Sequence, residues 1–246
     1  MRDVQVFANL EELSRAAADV FQNTVARCAD EGRRAYVAVS GGSTPKRLYE
    51  LLATPPWRDH VHWSCVELYW VDERPVLPTD PQSNYRMVEE ALLNDVPLPP
   101  TSVHPFPTEL ASPTAAAEAY DLELKEVPRT EDGWPRFDLI LLGMGDDGHT
   151  ASLFPQSPAL SETERRAVAN PVAKLDVERL TLTYPVINHA AHVVFLVSGA
   201  GKAEVLNEVM HAPYDPTALP AQGVRPVDGT LTWLVDEAAY SLQDDD

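Results

Sequence analysis

Residues 137–155 read FDLILLGMGDDGHTASLFP, and this stretch decides the fold. An apolar run, residues 137–142, is followed at once by glycines, two aspartates and a histidine. A short apolar run that breaks into glycines is typical of a buried strand, and open α/β sheets bind their ligands at the carboxyl ends of such strands. We therefore expect His149 to be a catalytic base, with Asp147 beside it. The alternative is a solvated loop histidine whose glycines only make the turn.

The chain is strongly acidic. Its 246 residues carry 38 Asp and Glu against 19 Lys and Arg, a net charge of −19, while 44% hydrophobic and 23% charged residues are ordinary for a globular protein. Such a charge repels nucleic acid and anionic membranes, so we expect neither as a partner. The length predicts a single domain, residues 1–246, with an acidic tail at about 241–246.

An acidic protein can still bind a small anion, because the Debye length is about 8 Å at physiological salt and remote carboxylates are screened. The binding site then depends on a few well-placed lysines or arginines. The acid excess also suits a high-salt cytoplasm, in which a charged surface keeps proteins soluble. Stability that does not change when salt is removed would contradict this hypothesis.

Cys28 and Cys65 are isolated thiols without CxxC spacing. They predict neither a disulfide framework nor a zinc site, and they fit a reducing cytoplasm. No signal-peptide pattern opens the sequence, and no apolar run approaches the length of a membrane span. We expect a cytoplasmic monomer or weak homodimer without metal or cofactor.

Strand and helix patterns alternate along the chain. Strands are predicted at residues 4–7, 35–39, 66–71, 137–142, 180–182, 193–197 and 231–235. Helices are predicted at residues 10–30, 45–52, 84–93, 115–126 and 202–210, with Thr44 capping the second and Pro45 at its first position. The proline-rich residues 96–113 predict an extended crossing over the surface. This alternation predicts an α/β fold with a mostly parallel, Rossmann-like sheet and helices on both faces.

Four predicted strands run into polar turns. AYVAV leads to SGGSTP, VELYWV to DER, DLILL to GMGDDGH, and HVVFLV to SGAGK. The carboxyl ends of parallel strands fall on one edge of a sheet. We therefore expect residues 40–44, 72–74 and 147–149 to meet Lys202 in one crevice.

Two of these turns suit an anion. The turn SGGSTP, with Ser40, Gly41, Gly42, Ser43 and Thr44, offers free backbone N–H groups at a helix start, although a simple tight turn with an N-cap explains it equally well. Lys202 stands at a similar turn, where its ammonium suits a phosphate, although a solvated lysine is the commoner case. A lysine there opposes the helix dipole, and a shared anion would relieve that conflict.

The arginines at two other strand ends have two interpretations each. Arg74 could bind substrate oxygens in a bidentate way, and Asp72 could hold Arg74 or a sugar hydroxyl. The alternative is a surface ion pair of little energetic value. Arg179 could likewise reach the substrate or stay exposed at the start of its strand.

Taken together, these turns resemble the 6-phosphogluconolactonase family. The segments SGGSTPKRLYELL, YWVDERPVLPTDPQSNYRM, LILLGMGDDGHTASLFP, ERLTLTYPVIN and FLVSGAGKAEVL are similar to that family's segments and cover nearly the whole chain. The resemblance implies a NagB/RpiA/CoA transferase-like fold. It also implies that SGGSTP and Lys202 hold a substrate phosphate, that Arg74 and Arg179 line the site, and that His149, supported by Asp147, carries the chemistry.

The resemblance also separates two related activities. Glucosamine-6-phosphate deaminases resemble this chain through DGH but continue to Asn-Glu-Pro, in which the glutamate transfers a proton. Here that position is Phe154, which cannot transfer one, and the deaminase-like DEY is DER. Both differences favour hydrolysis of a sugar-phosphate lactone to 6-phosphogluconate in the oxidative pentose phosphate pathway.

In that reaction an imidazole, with an ordinary pKa of about 6.5, accepts a proton from the attacking water and contributes about 10²- to 10⁴-fold. Backbone N–H groups of the glycine turns or Arg74 would stabilise the oxyanion. Two alternatives stay open: an amino-sugar-phosphate isomerase or deaminase, and a sugar-phosphate-binding regulator without catalysis.

Overall fold

The computed structural model describes residues 3–243. Ten strands lie within this range: β1 (Asp3–Phe7), β2 (Ala35–Val39), β3 (Val66–Trp70), β4 (Asp72–Glu73), β5 (Val103–His104), β6 (Leu139–Leu142), β7 (Ala167–Val172), β8 (Val177–Leu182), β9 (His192–Val197) and β10 (Thr230–Asp236). The α-helices are α1 (Leu10–Asp30), α2 (Ser43–Leu52), α3 (Trp57–His60), α4 (Asn84–Val88), α5 (Pro113–Glu123), α6 (Tyr184–Asn188), α7 (Ala203–His211) and α8 (Glu237–Tyr240). Single 3₁₀ or π turns extend several of them.

A parallel sheet forms the centre of the described part of the chain. Its seven strands lie in the order β1-β10-β9-β6-β2-β3-β5, and every pairing is parallel. All four residues of β6 are buried, as expected for a strand covered on both faces. The predicted α/β fold with a mostly parallel sheet is therefore confirmed.

A second, three-stranded sheet was not predicted. It has the order β4-β8-β7 and its pairings are antiparallel, so residues 180–182 belong to this sheet and not, as expected, to the parallel one. The sequence of β7, AVANPV, concealed the strand because Asn170 and Pro171 are unusual inside strands. Pro171 is exposed, whereas Asn170 is fully buried and hydrogen-bonded.

The predicted start of α2 was wrong. Its N-cap is Gly42 and not Thr44, and Pro45 is the third residue of the helix instead of the first. Gly42 has φ +107°, a conformation that strongly favours glycine, and no side chain caps this end. The helix therefore starts two residues nearer to β2 than the proline rule suggests, and its first N–H groups remain open.

The proline-rich residues 96–113 do more than cross the surface. They supply β5, the last strand of the parallel sheet, which pairs with β3 through Val103 and His104. Phe106 follows and is buried against the ring of Tyr120, with 3.8 Å between ring centroids. The hydroxyl of Tyr120 in turn donates to the carbonyl of Trp70, so the crossing is fixed to the end of β3.

Side chains from adjacent strands fill the core. Phe195 of β9 stacks on Trp233 of β10 with ring centroids 3.9 Å apart and planes only 6° from parallel. Both side chains are essentially inaccessible to solvent. Within residues 3–243, none of the helices combines the length and apolar character needed to cross a bilayer.

We predict that Phe195→Ala lowers the free energy of unfolding by about 3–5 kcal/mol, because it leaves a cavity beside Trp233. Urea unfolding followed by fluorescence measures this loss. Leu122→Ala is the control, because Leu122 is 60% exposed and its removal should change stability by no more than about 0.5 kcal/mol. Equal effects of the two substitutions would contradict this account of the core.

Candidate active site

The polar turns at the carboxyl edge of the sheet meet around one cavity of about 200 Å³. β6 lies between β9 and β2 in the sheet, so the turn that carries His149 is flanked by the other glycine-rich turns. Nine of the eleven predicted site residues line this cavity: Ser40, Gly41, Gly42, Ser43, Thr44, Asp72, Arg74, His149 and Lys202. Asp147 lies behind His149, and Arg179 lies near Arg74 outside the lining.

Asp147 orients the imidazole of His149. Nδ1 of His149 lies 2.6 Å from Oδ1 of Asp147, and the backbone N–H of His149 donates to the same oxygen at 3.2 Å. The hydrogen bond with His149 is the largest cause that lowers the pKa of Asp147 to about 2. Because an ionised carboxylate only accepts hydrogen bonds, Nδ1 carries a proton in this contact, and in the neutral imidazole the lone pair is on Nε2. No residue between 3 and 243 hydrogen-bonds to Nε2.

The glycines of this loop make room for the imidazole. A Cβ atom on Gly145 would lie 2.0 Å from Nδ1 of His149, and the N–H of Gly145 donates to the carbonyl of His149 at 2.8 Å. Gly148 has φ +75°, which strongly favours glycine. Thr150 closes the loop by donating its hydroxyl to the carbonyl of Gly143 at 2.9 Å.

Phe154 packs on one face of the His149 ring. The ring centroids are 4.1 Å apart and the planes differ by 26°, and Phe154 is 8% exposed. The aromatic ring therefore limits rotation of the imidazole and keeps water from that face. Sequence reasoning noted that Phe154 cannot transfer a proton, but it did not anticipate this stacking.

Asp72 belongs to a buried polar cluster and not to an ion pair. Its Oδ2 accepts a hydrogen bond of 2.7 Å from Ser152, and its Oδ1 lies 3.4 Å from the amide nitrogen of Asn84. Burial raises the pKa of Asp72. The suggestion that Asp72 holds Arg74 is wrong, because Arg74 donates instead to the carbonyl of Gln82. Ser152 and Asn84 were missed, since their partners are distant in sequence.

Arg74 and Arg179 form a positive wall beside this cluster. The backbone N–H of Arg74 donates to the buried carboxylate of Glu73 at 2.7 Å, and this hydrogen bond fixes the turn after β4. Arg179 is half-buried, and its pKa is lowered by burial and then by the charge of Arg74. Within residues 3–243, no carboxylate lies within 4.0 Å of either guanidinium, so both remain available to an anion.

The SGGSTP turn presents backbone and hydroxyl groups to the cavity. Gly41 packs against the side chain of Asn84 so closely that a Cβ atom would lie 1.9 Å from Oδ1. The buried hydroxyl of Ser40 has no hydrogen-bond partner in the described part of the chain. The open N–H groups at the start of α2 point to an anion at this position.

Lys202 has a protein partner that was not predicted. Its ammonium pairs with Asp146 in the loop that carries His149, and the Asp146 side chain is 83% exposed. The turn before Lys202 is held by Asp236, which accepts hydrogen bonds from Ser198 and from the N–H of Gly199. Among residues 3–243 there is no cluster of three or more potential His, Cys, Asp or Glu metal ligands.

Residues 8–233 match the family model described as glucosamine-6-phosphate isomerases/6-phosphogluconolactonase. The chain belongs to this family. A 6-phosphogluconolactonase of Synechocystis sp. is 42% identical over 96% of each chain, and one of Nostoc sp. is 37% identical over 97% of each. A crystal structure of 6-phosphogluconolactonase from Leishmania guyanensis superposes with a TM-score of 0.85 at 32% identity, covering 99% of both chains. The family predicted from the sequence is confirmed.

We predict that Gly145→Ala separates His149 from Asp147, because the new methyl group occupies the position of the imidazole. The carboxyl carbon of Asp147, followed by NMR, should titrate near pH 2 in the wild type and closer to its ordinary 3.8 in the variant. Gly143→Ala is the matched control, since its Cβ meets no atom within 4 Å. Identical titrations in all three proteins would show that Asp147 does not depend on this contact.

Proposed function

We propose that the chain hydrolyses 6-phospho-D-glucono-1,5-lactone to 6-phosphogluconate in the oxidative pentose phosphate pathway, with His149 as general base. The observation that carries the mechanism is the hydrogen bonding of the two nitrogens of the His149 imidazole. Asp147 holds Nδ1, and Nε2 is open toward a cavity bordered by two anion-binding turns. The relatives named 6-phosphogluconolactonase support this substrate, and their similarity extends over the whole length of the cavity-forming sequence.

The phosphate binds between the SGGSTP turn and Lys202. The N–H groups at the start of α2, the dipole of that helix and the ammonium of Lys202 converge there. The substrate is therefore oriented with its phosphate at α2 and its lactone carbonyl near His149.

Hydrolysis proceeds by proton transfer through one nitrogen. Nε2 of His149 takes a proton from water as the water oxygen bonds to C1 of the lactone, and Asp147 stabilises the imidazolium that forms. The negative charge on the carbonyl oxygen is met by Arg74 or by backbone N–H groups of the glycine turns. The bond from C1 to the ring oxygen then breaks, and His149 returns its proton to that oxygen, giving the open acid.

Phe154 distinguishes this activity from deamination of an amino-sugar phosphate. It covers one face of the imidazole with a hydrocarbon ring where a deaminase-like sequence carries a glutamate. The side chain of Phe154 supplies no group that could transfer a proton for ring opening. Release of ammonia from glucosamine 6-phosphate at a rate comparable to lactone hydrolysis would contradict the assignment, and sugar-phosphate binding without any turnover would indicate a regulator.

We further propose that the protein acts in the cytoplasm as a single-domain monomer or weak homodimer. The high net negative charge supports this, because like-charged copies repel one another and also repel nucleic acid and anionic lipid. Sedimentation equilibrium at micromolar concentration tests the oligomeric state. A stable tetramer would contradict it.

We predict that His149→Ala lowers kcat for lactone hydrolysis by about 10²- to 10⁴-fold, because the base that activates water is lost. Proton release from freshly made lactone, corrected for spontaneous hydrolysis, measures the rate. Binding of 6-phosphogluconate, measured by calorimetry, should be retained. His62→Ala is the control, since His62 is exposed and outside the cavity lining. Full activity of His149→Ala would exclude the mechanism.

We predict that Lys202→Met raises KM by about 10- to 100-fold and changes kcat much less, because the ammonium binds the phosphate equally in ground and transition states. Steady-state kinetics with the same lactone separate the two constants. Lys125→Met, which removes a lysine outside the cavity lining, should change neither. An unchanged KM in Lys202→Met would place the phosphate elsewhere.

A further inference from the structure

The opposite edge of the parallel sheet has a second cavity, of about 610 Å³, which the proposed reaction does not use. It opens where β2 and β6 begin and where α1 ends. The strands of the sheet, at about 3.3 Å per residue, place it on the order of 17 Å from the catalytic cavity. Its volume lies within the range of small-molecule sites, about 300–1,000 Å³.

Arginines dominate this second cavity. Five of them line it against two carboxylates, although the whole chain has 38 acidic and 19 basic residues. They are Arg27, Arg33, Arg34, Arg129 and Arg136. The cavity thus has a positive charge on a protein whose overall charge is strongly negative.

The two lining carboxylates are both bound to one arginine. Asp138 accepts from Arg33 at 2.8 Å and Glu31 accepts from Arg33 at 2.7 Å. The other oxygen of Asp138 accepts the backbone N–H of Tyr36 at 2.9 Å. Asp138 therefore has both of its oxygens occupied, and neither carboxylate forms an ion pair with any other arginine of the cavity.

The remaining four arginines divide into two pairs. Arg34 and Arg136 bind carboxylates outside the lining, Glu67 and Asp228. For Arg27 and Arg129, no carboxylate of residues 3–243 lies within 4.0 Å. Arg129 donates to a backbone carbonyl at 2.8 Å, which positions its guanidinium without neutralising it. Two guanidinium groups without a carboxylate partner therefore line one cavity.

We propose that this cavity binds a small metabolite that carries two or more phosphate groups. Arg27 and Arg129 each offer a planar fork of N–H donors that matches phosphate oxygens, and two separate forks suit an oligophosphate better than a single phosphate. A small ligand can reach the cavity because the distant carboxylates are screened. An anionic macromolecule would contact the acidic surface as well and be repelled.

Isothermal titration with tripolyphosphate, in metal-free buffer at low salt, tests the proposal. Lys202→Met serves as the background, because it weakens anion binding at the catalytic edge and leaves the second cavity unchanged. In that background the pair Arg27→Gln and Arg129→Gln should weaken binding at least tenfold. The matched pair Arg15→Gln and Arg58→Gln removes the same charge from arginines outside the cavity and should leave the affinity unchanged.

The outcomes separate clearly. Tripolyphosphate binding that is weakened only by the pair Arg27→Gln and Arg129→Gln supports the proposal. Binding of adenosine triphosphate with the same affinity as tripolyphosphate also supports it, provided that adenosine does not bind. Equal affinity of the two double variants would overturn it, and so would the absence of tripolyphosphate binding in the background protein. Circular dichroism and retained lactone hydrolysis in an otherwise wild-type chain verify folding. If the double variant is unfolded, Arg27→Gln and Arg129→Gln are tested singly, each with an expected loss of at least threefold.

Discussion

The parallel pairing of β6 with β2 on one side and with β9 on the other is the constraint on which the site depends. It brings residues separated by more than 150 positions to one edge, since all three strands end there. The turn after β6 is central, so its histidine lies in the same cavity as the SGGSTP turn and Lys202. A buried apolar strand therefore does two things at once: it stabilises the core, and it fixes the position of the proposed base relative to the proposed phosphate site.

The regular part of this arrangement could be predicted from the sequence. Apolar runs ending in glycine identified the strands that matter, because a strand buried on both faces leaves a continuous hydrophobic signal. The second sheet could not be predicted in the same way. β7 contains Asn170 and Pro171, and its stability comes from contacts such as the hydrogen bond from Asn170 to the carbonyl of Ser152. Such tertiary contacts have no local pattern.

The site shows the same division. His149, Asp147 and Lys202 were predicted as site residues because they lie in the turns that follow two strands, where the sequence restricts their position. Asn84 and Ser152 were not predicted. Each forms a hydrogen bond with Asp72, and together these bonds connect three separate segments of the chain. Residue type alone left Asp72 with two possible partners, Arg74 or a sugar hydroxyl, and did not reveal its hydrogen bond with Ser152. Its burial requires neutral hydrogen-bonding partners close by, and that requirement is visible only in the folded chain.

The pairing of Lys202 with Asp146 bears on the proposed phosphate site. Asp146 is almost fully exposed, so its ion pair with Lys202 adds little stability and is easily exchanged for another anion. A phosphate at α2 offers more negative charge than one carboxylate and gains the helix N–H groups as additional donors. It can therefore displace Asp146 from Lys202. Because Asp146 belongs to the same loop as His149, its release would couple occupation of the proposed phosphate site to that loop.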